Sequence, residues 1–272
     1  MLKAWQPSQI MKSLRKLSTL ATICSLTFAC ASRAPLTTSA AQTALRSCAG
    51  RILASDAEIQ AFAGCGRVDG DLTIAGDVTS LEPLAAIEAV HGTLSVESTT
   101  RLQSLDGLER LRVATGISLH HNRELDDVTA LSSLHQVSRL SLSGNPQLET
   151  LRGLEGVQTL ERLSIEGSGL FTLRGLANVA TVGELVVAKN RRLTELRALS
   201  TVLSAERVAI IDNPVLCGRG GLLPNLERAP TATRVVGNPV TVAETSHLTR
   251  SRPGRDEAGF ASIESHSVAS VK

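Results

Sequence analysis

The sequence predicts a β-rich repeat solenoid, and three observations predict it. The chain of 272 residues is 42% apolar but only 2% aromatic, with no Tyr. Strand-like triplets recur at intervals of 22 or 23 residues. The stretches between them carry their own apolar period. A core filled by Leu, Val, Ile and Ala suits thin stacked layers better than one globular centre. The formal charge of +2, with both signs interspersed, gives none of the long-range field that nucleic-acid binding uses, so nucleic acid is not an expected partner.

In chain order, residues 1–30 read as an export signal. Lys12, Arg15 and Lys16 precede an apolar stretch from Leu17 to Ala29 that ends at small residues, and a start at Met11 gives the same signal. The stretch, about 13 residues, falls short of the roughly 20 that span a bilayer. Two cleavage readings stay open. Ala29-Cys30-Ala31 fits an A-x-A site, while Cys30 after Ala29 resembles the lipidated cysteine of bacterial lipoproteins, imperfectly, because Thr27 stands where Leu is usual. The lipid reading is preferred and predicts an exported, membrane-anchored protein of the cell envelope that meets the membrane only through Cys30. A secreted or periplasmic soluble protein is the alternative. Residues 31–45, rich in Ala, Ser and Thr, predict a flexible tether.

Residues 46–67 predict an N-terminal cap. Ser55-x-x-Glu58 forms a capping box that opens a short helix from Asp56 to about Ala63. Cys48 and Cys65, close together in an exported region, are expected to form a disulfide that clasps the helix over the end of the solenoid. Cys217 is then the odd thiol and reads as a small buried hydrophobe.

Residues 68–240 hold the repeats. The triplets are Leu72-Ile74, Leu94-Val96, Ile117-Leu119, Leu140-Leu142, Leu163-Ile165, Leu185-Val187 and Val208-Ile210. This motif at this period is the leucine-rich repeat signature, in which one turn cannot bury its apolar side alone. It predicts about seven to eight turns of a right-handed, parallel β-helix-like stack. Alternation turns the first and third residues of each triplet inward, leaving Thr73, Ser95, Ser118, Ser141, Ser164, Val186 and Ala209 outward. The return stretches repeat at i, i+3, i+6, as in Leu148, Leu151, Leu154 and Val157, which suits a 3₁₀-like path. Asn122, Asn145, Asn190, Asn213 and Asn238 occupy equivalent bends, where Asn tolerates the left-handed conformation and its amide supports the loop. Thr233 to Pro239 reads as a last, degenerate turn, and 241–272, without periodicity, as a disordered tail.

With these residues in view, the repeats resemble the receptor L domain of growth-factor receptor ectodomains and related fungal and bacterial surface proteins. The resemblance covers roughly residues 48 to 240. It is carried by Asp69-Gly70-Asp71-Leu72-Thr73-Ile74 after Cys65, by the recurring Leu-x-Gly-Leu at Leu105, Leu151 and Leu173, and by Asn213-Pro214-Val215-Leu216-Cys217. It implies a parallel solenoid with one strand per turn, a cap disulfide and a binding or structural role without catalysis. In the family the cysteine matching Cys217 pairs with a later one. No Cys follows it here, so the C-terminal cap must close differently.

No chemistry-bearing constellation stands out, so no enzyme activity, cofactor or metal is expected. Glu97 and Glu166 share a column but lie three turns apart, about 14 Å at strand spacing, against the roughly 5 to 9.5 Å of paired glycosidase carboxylates. His120-His121 with Glu124, Asp126 and Asp127 lacks metal-ligand spacing, since adjacent strand residues point to opposite faces. One column stands apart. Arg152, Arg174 and Arg197 precede equivalent returns, and stacking would line up three like charges, which must splay into water, pair with Glu155 or Glu195, or hold an anionic partner. The expected function is a non-catalytic surface-recognition or adhesion module for an unidentified protein or anionic glycan. A passive structural envelope or cell-wall component stands second, and a polysaccharide-acting enzyme third.

Overall fold

The computed structural model describes residues 46–217, 222–239 and Leu248, all within one compact unit, Thr43–Lys272. The chain runs β1 (Arg46–Ala49), β2 (Ile52–Ser55), α1 (Asp56–Ala61), β3 (Cys65–Asp69), β4 (Leu72–Asp77), β5 (Ala89–Glu97), β6 (Val113–His120), β7 (Gln136–Ser143), β8 (Thr159–Glu166), β9 (Thr181–Ala188), β10 (Ser204–Ile211) and β11 (Ala232–Val236). The sheet order is β1-β3-β5-β6-β7-β8-β9-β10-β11, with β2 beside β4 and β4 beside β5. Every pairing among the described strands is parallel, and the sheet is open. The arrangement is solenoid-like, with a short helical cap. The expectations placed on 1–45, including lipidation of Cys30, and on 241–272 apart from Leu248, lie outside the described residues.

Each long strand has two arms that meet at a corner. In β8, Leu160, Leu163 and Ile165 are buried, while Glu161, Arg162 and Ser164 face away. Alternation would bury every second residue. The step of three between Leu160 and Leu163 instead marks the corner. The triplets of the sequence are the second arm, and the first arm brings its own inward column of Val90, Ala114, Val137, Leu160, Val182 and Ala205. In the first full turn the arms are separate strands, β3 and β4, both pairing with β5.

The core is a column of aliphatic layers. One turn contributes Leu148, Leu151, Leu154, Val157, Leu160, Leu163 and Ile165, each at most 1% exposed. A layer one strand thick can be dry on both sides only if neighbours cover it, so adjacent turns stabilise one another. The returns run as 3₁₀ segments at Glu82–Leu84, Thr129–Ser133, Arg174–Leu176 and Arg197–Thr201. The intervening returns keep the same i to i+3 bonding, Leu108 N–H to Leu105 C=O at 3.1 Å and Leu154 N–H to Leu151 C=O at 3.2 Å. Turns approach so closely there that a Cβ on Gly175 would lie 1.7 Å from the Leu151 carbonyl oxygen.

The bend after each strand corrects one expectation. The left-handed residue is not the asparagine but the one before it. Ser98, His121, Gly144, Gly167, Lys189, Asp212 and Gly237 all have φ between 52° and 70°. The asparagine that follows is thereby turned inward, where Asn122, Asn145, Asn190 and Asn213 are fully buried. Each amide spans to the preceding turn. Asn145 Nδ2 donates to the Leu119 carbonyl at 2.9 Å while its Oδ1 accepts from Asn122 N–H at 3.0 Å. Asn190 bonds Ile165, Asn213 bonds Val187 and Asn238 bonds Ile210 in the same way.

At the first end, Ser55 Oγ accepts from Glu58 N–H at 3.4 Å and Glu58 Oε2 accepts from Ala54 N–H at 2.6 Å, so α1 starts where its capping residues stand. Asp56 accepts from both Thr79 N–H and Thr79 Oγ1. These bonds hold its carboxyl below the usual carboxylate range and tie the cap to the first turn. A disulfide joins Cys48 on β1 to Cys65 on β3. At the far end Leu216 takes the inward slot of its turn, 0% exposed. Cys217 therefore faces solvent as a free thiol, and its reading as a buried hydrophobe is corrected. Leu248 is 1% exposed within the core cluster, with its carbonyl accepting from Thr233 Oγ1 at 3.2 Å.

Candidate recognition surfaces

The arginine ridge lies on the return side. Arg174 and Arg197 each open a 3₁₀ segment, and those segments stack on each other. Arg152, Arg174 and Arg197 are all exposed. Among the described residues none of the three has an ion-pair partner. Glu155, one of the two expected partners, instead accepts from Gly153 N–H at 2.7 Å and braces the turn. Glu109 does the same for Gly107 at 2.8 Å. Arg152 also borders an open cleft of about 480 Å³ whose other walls include Asp126, Asp127 and Glu149. Those carboxylates oppose an anion at that point. Glu149 is paired with Arg192 at 2.9 Å, and Arg192 stacks on Phe171 with its guanidinium carbon 3.9 Å from the ring centroid.

The histidine pair departs from the strand geometry assumed for it. His120 ends β6 and His121 follows in the left-handed conformation, so their rings are not on opposite faces but lie 6.4 Å apart between centroids. Burial pushes the His120 imidazole below its ordinary range, His121 adds to this, and Glu97 opposes it. Among the described residues no group of three or more His, Cys, Asp or Glu could hold a metal ion. His121 and Arg123 line a second open cleft, about 640 Å³, with Ser98, Thr99 and Thr100. Glu97 and Glu166 stand in one register line with His120 and Ser143 between them. Three strand steps make about 14 Å. Glu166 is in any case paired with Lys189 at 2.8 Å, which raises the Lys189 pKa.

A third surface is the outward face of the sheet, where Ser95, Ser118, Ser141 and Ser164 stand in register. Register places three columns on its second arm. The first reads Thr93, Gly116, Arg139, Arg162, Glu184 and Arg207, the second Ser95, Ser118, Ser141, Ser164, Val186 and Ala209, the third Glu97, His120, Ser143, Glu166, Ala188 and Ile211. Glu184 bridges Arg162 at 2.7 Å and Arg207 at 3.2 Å. Arg139, beside Arg162, has no described acid of its own. Over β5 to β8 the face is hydroxylic, and over β9 and β10 it turns apolar. The second and third columns were present in the sequence, including the change from Ser to Val186 and Ala209, but the first column required the register.

Two comparisons bear on these surfaces. The family model described as receptor L domain matches residues 64–158, short of half of the chain. No curated protein matches. No helix among the described residues is long and apolar enough to cross a membrane. The solenoid-like arrangement and the partial receptor L domain match are consistent with a non-catalytic, binding-type module.

Proposed function

We propose that this chain is a non-catalytic envelope module whose first role is structural, a rigid spacer held at an exported surface. This reading takes the coil as a right-handed leucine-rich repeat stack of seven to eight turns. The observation that carries it is where the polar groups go. The buried amides bond the preceding turn, and the bracing carboxylates of Glu109 and Glu155 bond their own backbone. Arg152, Arg174 and Arg197 are exposed, and the cleft that Arg152 borders carries the carboxylates of Asp126, Asp127 and Glu149. Export through residues 1–30 and anchoring at Cys30 complete the reading. Mass spectrometry of the mature N-terminus tests the anchor, with a diacylglyceryl Cys30 expected. Deletion of the chain is expected to weaken the envelope against detergent or osmotic shock; unchanged resistance, together with a saturable ligand in envelope extracts, would overturn the structural reading in favour of recognition.

A specific observation favours recognition as the second reading. Arg139 and Arg162 stand beside the hydroxyls of Ser141 and Ser164 on one flat, outward face. Cations on neighbouring strands, whose backbones lie about 4.8 Å apart, beside a row of hydroxyls suit an acidic glycan laid across the strands. Arg139→Glu with Arg162→Glu tests this face, and Arg152→Glu with Arg174→Glu tests the ridge. Retention on a polyuronate column unchanged by either pair would remove the anionic-glycan partner.

A further inference from the structure

One charged column on the return side is complementary to itself. The residue that opens each return reads, in stacking order, Glu82, Asp106, Thr129, Arg152, Arg174 and Arg197, and all six are exposed. The returns lie directly on one another. A Cβ on Gly107 would stand 2.7 Å from the Glu82 nitrogen, and one on Gly153 would stand 2.7 Å from the Thr129 Cα. Ser104 and Asp127 bridge the second return to the third, Gly175 abuts Leu151, and the segments that Arg174 and Arg197 open pack together. At about 4.8 Å per turn the column is about 24 Å long. Two acids hold one end and three bases the other. Among the described residues none of these five charges has an ion-pair partner. Asp106 accepts from Ser104 Oγ at 2.7 Å, a donor that carries no charge. Like charges on adjacent turns repel, so each end gains from a partner of opposite sign.

We propose that this column is a contact between two copies of the chain, packed antiparallel about a two-fold axis between the third and fourth returns. That axis sets Glu82 against Arg197 of the second copy, Asp106 against its Arg174 and Thr129 against its Arg152. The symmetry makes each of these pairs twice. The cleft at the centre fits the same arrangement. It is open, about 480 Å³, and Thr129 and Arg152 line it together with Asp126, Asp127 and Glu149. The guanidinium that arrives opposite Thr129 thus meets carboxylates. Asp126 and Glu149 lie in one neighbouring column and come opposite each other, but Glu149 is already held by Arg192 at 2.9 Å and an Arg152 from each copy borders the cleft. A parallel pair would set arginine on arginine and acid on acid, so the charges select the antiparallel one. Exposed ion pairs are individually weak and are screened by salt over about 8–10 Å. The association is therefore a weak one that rises with concentration and falls with ionic strength.

Sedimentation velocity of the full chain at low ionic strength tests this, with dimers expected to grow with protein concentration and to dissociate in high salt. Arg174→Glu with Arg197→Glu makes every acid–base pair across the axis repulsive, and so does Glu82→Arg with Asp106→Arg. Each double variant is expected to raise the dissociation constant at least about tenfold while circular dichroism is retained. An equal mixture of the two variants restores attraction at all of those pairs, as does one chain carrying all four substitutions. Both are expected to dimerise as the parent does. Disulfide trapping in a Cys217→Ser background reads the orientation. Thr129→Cys, beside the axis, should cross-link two copies, and Ala85→Cys, at the first return, should not. Monomers at every concentration, no recovery in the mixture or in the fourfold variant, or equal trapping at both positions would overturn the proposal.

Discussion

Asn145 shows what one side chain does when both of its polar ends are met. Its amide answers the Leu119 carbonyl and the Asn122 N–H, neither of which has water to turn to. Asn145→Ala leaves both unpaired, at about 1–3 kcal/mol for each buried group, so the denaturation midpoint in urea should fall by an amount corresponding to about 2–6 kcal/mol. The asparagines were legible because the residue type recurs at a fixed period. The left-handed position at these bends was not, because Ser98, His121, Lys189 and Asp212 fill it as well as Gly144, Gly167 and Gly237, and nothing in their chemistry announces a positive φ. His120 carries the pH consequence at this scale. Its folded pKa is depressed below its ordinary 6.5, chiefly by burial, so the unfolded chain takes up the proton first as pH falls. The contribution of His120 is therefore fully present above pH 6.5 and declines as acidification passes from there through the folded pKa. A stability profile of His120→Gln is expected to be flatter than the parent's below pH 6.5.

At the scale of the element, the return and the first arm of each strand share a spacing of three. Leu148, Leu151, Leu154, Val157, Leu160 and Leu163 form one unbroken i, i+3 series in the sequence, yet the last two lie on a strand. The corner was hidden for that reason, since its step of three continues the 3₁₀ rhythm and only the second arm shows alternation. The outward columns through Ser118 and through Glu97 were legible from the period, whereas the column of Arg139, Arg162 and Glu184, beside the corner, was not. The returns owe their closeness to glycine. Gly175→Ala would drive a Cβ into the Leu151 carbonyl of the turn below, and backbone cannot swing aside as a side chain can. Overpacking of this kind costs about 1–3 kcal/mol. Chemical denaturation should show that loss, and hydrogen exchange should place it in β8 and β9.

For the whole molecule, stability is a sum over stacked turns, and the ends decide where it begins to fail. Period and composition made the stack legible from the sequence; its terminations were less so, because each is built from one-off contacts such as Asp56 with Thr79 or Leu248 with Thr233. Leu248→Ser removes the plug from the last layer. Amides of β10 and β11 are then expected to exchange faster, while those of β5 to β7 keep their protection; uniform loss along the stack would mean that Leu248 acts elsewhere. The amide column has a consequence along the same axis. Asn122 and Asn145 form one clasped series, and Asn190, Asn213 and Asn238 another, but the equivalent place on the turn of β8 is Ser168, whose side chain is too short to reach the turn of β7. The rod is thus zipped in two lengths with a seam between β7 and β8, and a pull at its ends meets its least resistance at mid-height, where it would part into two halves that each keep a closed outer end.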